Sequence, residues 1–303
     1  MAFYMIHDIL ASRWYNFRMP TPFYHLSVAF ELLEHGDLAD PIRQRLLAQR
    51  GAFLFGNTAP DVQVVSKQAR EATHFFTLPF KKDAPLPWER LVIDHPSLAT
   101  PGSKPDEQAA FLAGYLCHLQ ADWLWISELF LPVFGPDVKW STFPQRLYLH
   151  NVLRSYLDRQ VLSHLPLGIA SELKATHPRG WLPFVKDVYL REWRDYLSRQ
   201  LEPGEAAQTV EVFAARQGIP IKEFYRLLDS EERMDQEIFS HLPRAILEQY
   251  RQRLISINLS YLNEVFRPGK NKNVRNARTA GRSVSRNPEK YNPAGVDHQS
   301  RPL

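Results

Sequence analysis

Apolar residues recur at separations of three and four along most of the chain, which is the spacing of one face of an α-helix. The clearest example runs from Asp106 to about Leu131 and contains the stretch FLAGYLCHLQADWLW. Two polar residues, His118 and Asp122, lie on the same broad face as its apolar residues. No segment alternates convincingly with the period of two that a β-strand requires. The pattern therefore predicts an all-α protein, a multi-helix bundle.

Proline, glycine and capping residues predict where the helices begin and end. Thr21 and Pro22 predict the start of a helix that Gly36 ends, and Asp40-Pro41 repeats the start signal. The proline-rich segment 78–105 is predicted to be irregular. Further helices are predicted over residues 144–164, 182–200, 205–217, 220–228 and 231–266.

Charge is distributed unevenly along the chain. The net charge is +4, yet residues 267–303 alone carry nine lysines and arginines against two acidic residues. This segment has almost no large apolar residues, so it is predicted to be a basic disordered tail. It could contact nucleic acid or anionic lipid, or act only as a solubilising terminus.

The cysteine content and the hydropathy pattern indicate in which cellular compartment the protein resides. Cys117 is the single cysteine, which excludes a disulfide within the chain. The first residues do not have the pattern of a secretory signal, and no run of about 20 residues stays apolar enough to span a membrane. The sequence therefore predicts a cytoplasmic protein.

Five candidate metal ligands lie in apolar surroundings. His118 and Asp122 project from successive helical turns, a spacing that lets two side chains bind one metal ion, although such pairs are more often hydrogen-bonded couples. His25 lies near the start of the first helix, Asp61 at a turn and His74 in THFF. A buried carboxylate needs a cation, a hydrogen-bond donor or a proton. If the helices bring these residues together, zinc would suit them, whereas each alone could be a core residue.

The order and spacing of these residues resemble those of the zinc-dependent phospholipase C family and, more distantly, single-strand nucleases of the same helical fold. The resemblance covers about residues 19–125 and is weak beyond them. Its motifs are Thr-Pro-x-x-His-Leu, Gly-x-x-x-Pro-Asp, His-Phe-Phe and Gly-Tyr-x-x-His-x-x-x-Asp. It implies a phospholipase C-type helical core over residues 1–165, continued by helices over 166–266 and followed by the tail.

The resemblance also implies roles for the five residues. Asp61, His74, His118 and Asp122 resemble the ligands of one zinc ion, while His25 with Asp122 resembles part of a neighbouring site. One to three zinc ions are implied, together with a bound water or hydroxide that attacks a phosphoester. Asp61 is the expected catalytic residue, which orients or deprotonates that water.

The match to the family is incomplete in three places. Family members use a processed amino terminus as a ligand, whereas 24 residues precede His25 here. Glu128 stands where the family places a further histidine, and His150 is the nearest candidate for its His-x-x-x-Glu motif. Four residues after His150 stands Arg154, which cannot ligate a metal. Asp158, two helical turns after His150, is a candidate substitute for the glutamate of that motif. Glu128 and His150 are the remaining two candidate metal ligands.

Three functions remain open from the sequence. The first is a zinc-dependent phosphodiesterase that acts on a phosphoester substrate, with a phospholipid reached by peripheral membrane contact as one candidate. The second is a helical metal-binding or interaction protein that retains the fold with reduced catalysis. Single-strand nuclease activity is the lesser alternative, and nucleic acid is not an expected partner. The sequence leaves the oligomeric state open.

Overall fold

All regular secondary structure in the described residues, 20–81, 83–202, 205 and 207–266 of a computed structural model, is helical. The predicted all-α class is thus confirmed, whereas the tail prediction for 267–303 lies outside the described residues. The α-helices are α1 Pro22–Glu34, α2 Asp40–Ala48, α3 Arg50–Gly56, α4 Gln63–Ser66, α5 Glu71–His74, α6 Pro87–Asp94, α7 Asp106–Leu124, α8 Phe143–Leu162, α9 Ile169–Lys174, α10 Asp187–Gln200, α11 Thr209–Gln217, α12 Ile221–Leu228, α13 Glu231–Met234 and α14 Arg244–Val265. Short 3₁₀ turns lie at Ala59–Val62, Pro96–Leu98 and Pro101–Ser103, and π-helical segments at Trp125–Phe134 and Asp235–Phe239.

The first predicted helix begins where its capping residues place it. Thr21 has an extended backbone, and its hydroxyl accepts a hydrogen bond from the backbone N–H of Tyr24 at 3.4 Å. Pro22 follows as the first helical residue, where its missing N–H costs nothing. This start fixes His25 on the first turn of α1, with its side chain buried.

Some predicted boundaries are wrong. The segment 78–105, predicted to be irregular, contains α6, which is closed at its start by a 3.1 Å hydrogen bond from the Leu86 N–H to Glu89. The predicted helix 231–266 is interrupted after the π-helical segment and begins again only after Pro243, which has no N–H to continue a helix. The helices predicted from residues 182 and 205 begin later, with α10 and α11.

Helix α7 is the buried centre of the fold. Every side chain from Ala109 to Asp122 is buried, and α7 contacts α1, α2, α3, α6 and α14. A helix that is surrounded on all sides has little amphipathic contrast, because apolar neighbours cover its whole circumference. The prediction that 106–131 is helical is confirmed: α7 ends at Leu124 and the chain continues as the π-helical segment Trp125–Phe134. No described helix has the length and apolarity needed to cross a bilayer.

Two glycines let α3 and α7 approach each other backbone to backbone. A Cβ at Gly114 would lie 2.2 Å from the carbonyl oxygen of Phe53 and 2.8 Å from the backbone nitrogen of Asn57. A Cβ at Gly56 would lie 2.0 Å from the carbonyl oxygen of Phe111. Both positions therefore require glycine, and the close approach brings the Asn57 carbonyl to α7.

We expect Gly114→Ala to destabilise the protein by about 3 kcal/mol or more, because backbone atoms cannot move away from the new methyl group as a flexible side chain would. The helix-propensity gain of about 1 kcal/mol is too small to offset this. Chemical denaturation would measure the effect. Gly36→Ala is the matched control, since a Cβ there meets nothing within 4 Å; equal stability of the two variants would contradict the proposed close contact.

Candidate metal centre

Five of the seven predicted ligands come together in the interior, although they are spread over almost a hundred residues. They are delivered by the first turn of α1 (His25), the 3₁₀ turn Ala59–Val62 (Asp61), the end of α5 (His74) and two turns of α7 (His118 and Asp122). Four of them are buried to within 1% exposure, and Asp61 is 14% exposed. Of these five residues, Asp61 is the one that lines the adjacent cavity.

Three imidazoles surround the carboxylate of Asp122. Its Oδ1 lies 3.2 Å from His25 Nε2, and its Oδ2 lies 3.3 Å from both His74 Nε2 and His118 Nε2. Asp61 approaches the same group from the other side, with its Oδ1 3.5 Å from His74 Nε2. The ligand atoms of His25, His118 and Asp122 lie within 4.8 Å of one another, as do those of Asp61, His74 and His118.

Partners outside the cluster orient two of the imidazoles. Nδ1 of His118 is 2.8 Å from the carbonyl oxygen of Asn57, and a carbonyl can only accept, so this nitrogen carries a proton and donates. Nδ1 of His74 lies 3.0 Å from the hydroxyl of Thr73, which itself donates to the carbonyl of Arg70. In neutral imidazoles with these partners, both Nε2 lone pairs point into the cluster, the arrangement typical of metal-ligating histidines.

The inward-facing atoms lack enough hydrogen bonds of their own. His25 Nε2 and Asp122 Oδ1 are both buried and, although they lie 3.2 Å apart, neither forms a hydrogen bond within the described residues. Nε2 of His74 and Nε2 of His118 lie only 3.3 Å apart, so two lone pairs would repel unless a proton or a cation lies between them. The donor set fits a metal ion, because a divalent cation would satisfy these atoms together.

Arg70 is a residue of the cluster that the sequence interpretation missed. Its guanidinium donates to Asp122 Oδ2 at 2.6 Å and to Asp61 Oδ1 at 3.4 Å, and the side chain is 8% exposed. It supplies a permanent positive charge between the two carboxylates. In the sequence it stands among polar residues, and its position four residues before His74 is the only signal that could have indicated it.

The charges of the cluster shift its pKa values in opposite directions. Burial opposes ionisation of Asp122, but the neighbouring His118 and the other imidazoles outweigh it and hold the Asp122 pKa well below its usual value. Burial also disfavours the charged form of His118, yet Asp122 and Asp61 raise its pKa. Burial and the charge of His118 lower the pKa of His25 to about 4. Without a metal, His118 is therefore the imidazole of the cluster that binds a second proton most readily.

The structure does not bring Glu128 and His150 into this cluster. Glu128 Oε1 forms an ion pair with Arg253 at 2.9 Å. His150 is buried, and its Nε2 accepts a 2.9 Å hydrogen bond from the indole N–H of Trp125, so that lone pair is already engaged. Among the described residues, neither belongs to a group whose geometry suits a metal ion.

Asp158, the possible substitute, also has other partners. Its carboxylate accepts hydrogen bonds from the hydroxyls of Thr21 and Thr209 and joins the start of α1 to α8 and α11. The structure therefore gives Asp158 a tethering position rather than a place among the metal ligands.

The arrangement can hold a metal ion and present it to a cavity. His118 belongs to both ligand groups, but only its Nε2 is available, because its Nδ1 donates to the Asn57 carbonyl. One nitrogen can bind one metal ion, so the two groups cannot each use His118 at the same time. The geometry of the described residues thus indicates one centre with two overlapping ligand sets. Comparisons with protein-family models, curated proteins and solved structures find no match to the chain.

We expect the protein to bind one divalent metal ion per chain, with zinc as the probe, and Asp122→Asn to lose it, because the substitution removes the central negative charge while keeping the side-chain size. The measurement is zinc content after dialysis, with circular dichroism to check folding. His150→Gln is the matched control, a buried histidine on α8 outside the cluster. Loss of zinc in the control, or its retention in Asp122→Asn, would show that the ion binds elsewhere.

We also expect zinc affinity to rise with pH through the pKa of His118, by roughly tenfold per pH unit while one proton is displaced. The raised pKa means that the apo protein gains stability from protonated His118 below about pH 6.5 and loses this contribution as pH rises through the folded-state pKa. The zinc-induced increase in Tm should therefore grow between pH 6 and 8. Thermal unfolding with and without zinc measures it, and an increase of the same size at both pH values would argue against His118 as a ligand.

Proposed function

We propose that the protein is a zinc-dependent phosphodiesterase with a fold and site of the phospholipase C type. The observation that carries this proposal is the convergence of three imidazoles and two carboxylates at a buried point that borders a cavity through Asp61. His25, Asp61, His74, His118 and Asp122 would hold the ion. When bound, zinc acidifies water and stabilises negative charge on phosphoryl oxygens.

Asp61 is suited to orienting a water molecule rather than to accepting its proton. Burial alone would raise its pKa, but the contact with His74 and the charges of His118 and Arg70 outweigh burial and hold the pKa far below its usual value. A carboxylate with so low a pKa is a weak base. It remains ionised, however, and can accept a hydrogen bond from water on the cavity side.

A phospholipid substrate is supported by a second cavity of about 450 Å³. Its apolar lining includes Phe76, Phe80 and Trp123, with ring centroids 5.7 Å apart for the two phenylalanines and 6.4 Å apart for Phe80 and Trp123. Phe76 also lies edge-on to the ring of His74, at 6.3 Å between centroids. An acyl chain could therefore lie close to the cluster.

The alternative, a metal-binding protein with reduced catalysis, is favoured by Arg70. Its guanidinium contacts both carboxylates and supplies the positive charge that a second metal ion would otherwise bring. Single-strand nuclease activity remains the lesser proposal, because the basic tail that partly supported it lies outside the described residues.

We expect the zinc-loaded protein to hydrolyse a chromogenic phosphodiester or phosphatidylcholine vesicles faster than single-stranded DNA. Asp61→Asn should lower kcat by roughly 10²-fold, the scale of loss when a reacting group is no longer held in position. Zinc content is measured alongside, since Asp61 is also a candidate ligand.

Asp229→Asn is the control for that experiment, because Asp229 is an exposed acid paired with Arg159. A protein that holds zinc but cleaves none of the three substrates would refute the phosphodiesterase proposal and leave the reduced metal-binding protein.

A further inference from the structure

Arg70 places a fixed positive charge inside the candidate metal centre. Its side chain is 8% exposed, its Nη2 lies 2.6 Å from Asp122 Oδ2, and its Nη1 lies 3.4 Å from Asp61 Oδ1. Two carboxylates that face one buried point require compensating cations, and a guanidinium does not lose its charge in a protein. The chain itself therefore neutralises one of the two negative charges of the centre.

The donor atoms of the centre would be sufficient for more than one ion if all of them were available. They are Nε2 of His25, His74 and His118, both oxygens of Asp122, and Oδ1 of Asp61. Zinc takes about four ligands, and water can be one of them. Two ions could therefore share this set through the two oxygens of Asp122, so the donors alone do not fix the number of ions.

The guanidinium divides the donors of Asp122 into two groups. Oδ2 accepts from Arg70 and is also the oxygen that faces His74 and His118. Oδ1 faces His25 Nε2, and neither of these two atoms forms a hydrogen bond within the described residues. Arg70 thus engages the oxygen nearest His74 and leaves the oxygen nearest His25 available to an ion.

The charges of the centre favour a single ion in the presence of Arg70. With neutral imidazoles, Asp61, Asp122 and Arg70 leave one negative charge uncompensated. One divalent ion reverses this balance to one positive charge, and a second would add two more in a buried site, where like charges repel strongly. Without Arg70, one divalent ion would only neutralise the two carboxylates, so a second ion would meet less repulsion.

We propose that Arg70 takes the place of a second metal ion and restricts the centre to one divalent cation. This inference rests on the metal centre of the proposed function, and it chooses one ion from the one to three that the family resemblance implies. Arg70 acts through the two carboxylates and is not itself a ligand, because a guanidinium has no lone pair to donate to a metal. It determines how many ions the centre accepts.

The test is the number of zinc ions bound by the full chain, measured by titration after chelator treatment and by elemental analysis after dialysis. The wild type should bind one ion. Arg70→Gln removes the charge and keeps a polar side chain, so it should bind a second ion, whereas Arg70→Lys keeps the charge and should bind one. Arg194→Gln is the matched control and should bind one, because Arg194 on α10 is also 8% exposed but donates to the Thr176 carbonyl, outside the cluster.

Titration with Co²⁺ gives a second readout, since the visible absorption of the bound ion follows its coordination. Absorption of the wild type should saturate at one equivalent, and a rise that continues to a second equivalent overturns the proposal without any variant. Circular dichroism shows whether Arg70→Gln is folded. Any number other than two ions in folded Arg70→Gln, or two ions in Arg70→Lys or Arg194→Gln, also overturns it.

The number of ions separates the role of Arg70 from the proposed activity. One ion in the wild type and two in Arg70→Gln, without hydrolysis by either protein, would retain the role of Arg70 and refute the phosphodiesterase. Hydrolysis by a wild type that holds two ions would retain the enzyme and overturn the role of Arg70. A wild type that binds no metal would refute both.

Discussion

The carboxylate of Asp122 is the constraint on which the structure depends. It is fully buried on a helix that is itself buried on all sides, and an uncompensated charge there would cost several kcal/mol. Three imidazoles and the guanidinium of Arg70 surround it. The elements that carry these groups are therefore tied to α7 by electrostatics as well as by apolar packing.

The close contact of α3 with α7 links the fold to the chemistry of the cluster. Because Gly56 and Gly114 have no side chains, the backbone after α3 comes near enough for the Asn57 carbonyl to bind His118 Nδ1. That hydrogen bond fixes which nitrogen of a neutral imidazole carries its proton and which faces inward. A packing requirement of two glycines thus determines the orientation of a potential ligand.

The sequence predicts those helices and candidate ligands whose signals lie in neighbouring residues. Neighbouring residues are enough to predict the start of α1 at Thr21-Pro22 and the helical spacing of apolar residues in α7. They also show that the five candidate ligands lie in apolar surroundings. Arg70 could not be found this way, because its partner Asp122 lies 52 positions away and its own neighbours are polar. For the same reason the sequence could not show that Trp125 engages His150 or that Arg253 engages Glu128.

Charge balance in the cluster links metal binding to anion binding. Asp61 and Asp122 carry two negative charges, which Arg70 and a protonated His118 can neutralise without any metal. When a divalent ion replaces that proton, the same residues have one positive charge in excess, and the favoured way to neutralise it is an anion on the open side at Asp61. A phosphate group of the proposed substrate would supply such an anion, so metal binding and phosphate binding should strengthen each other, and to the same degree in either order.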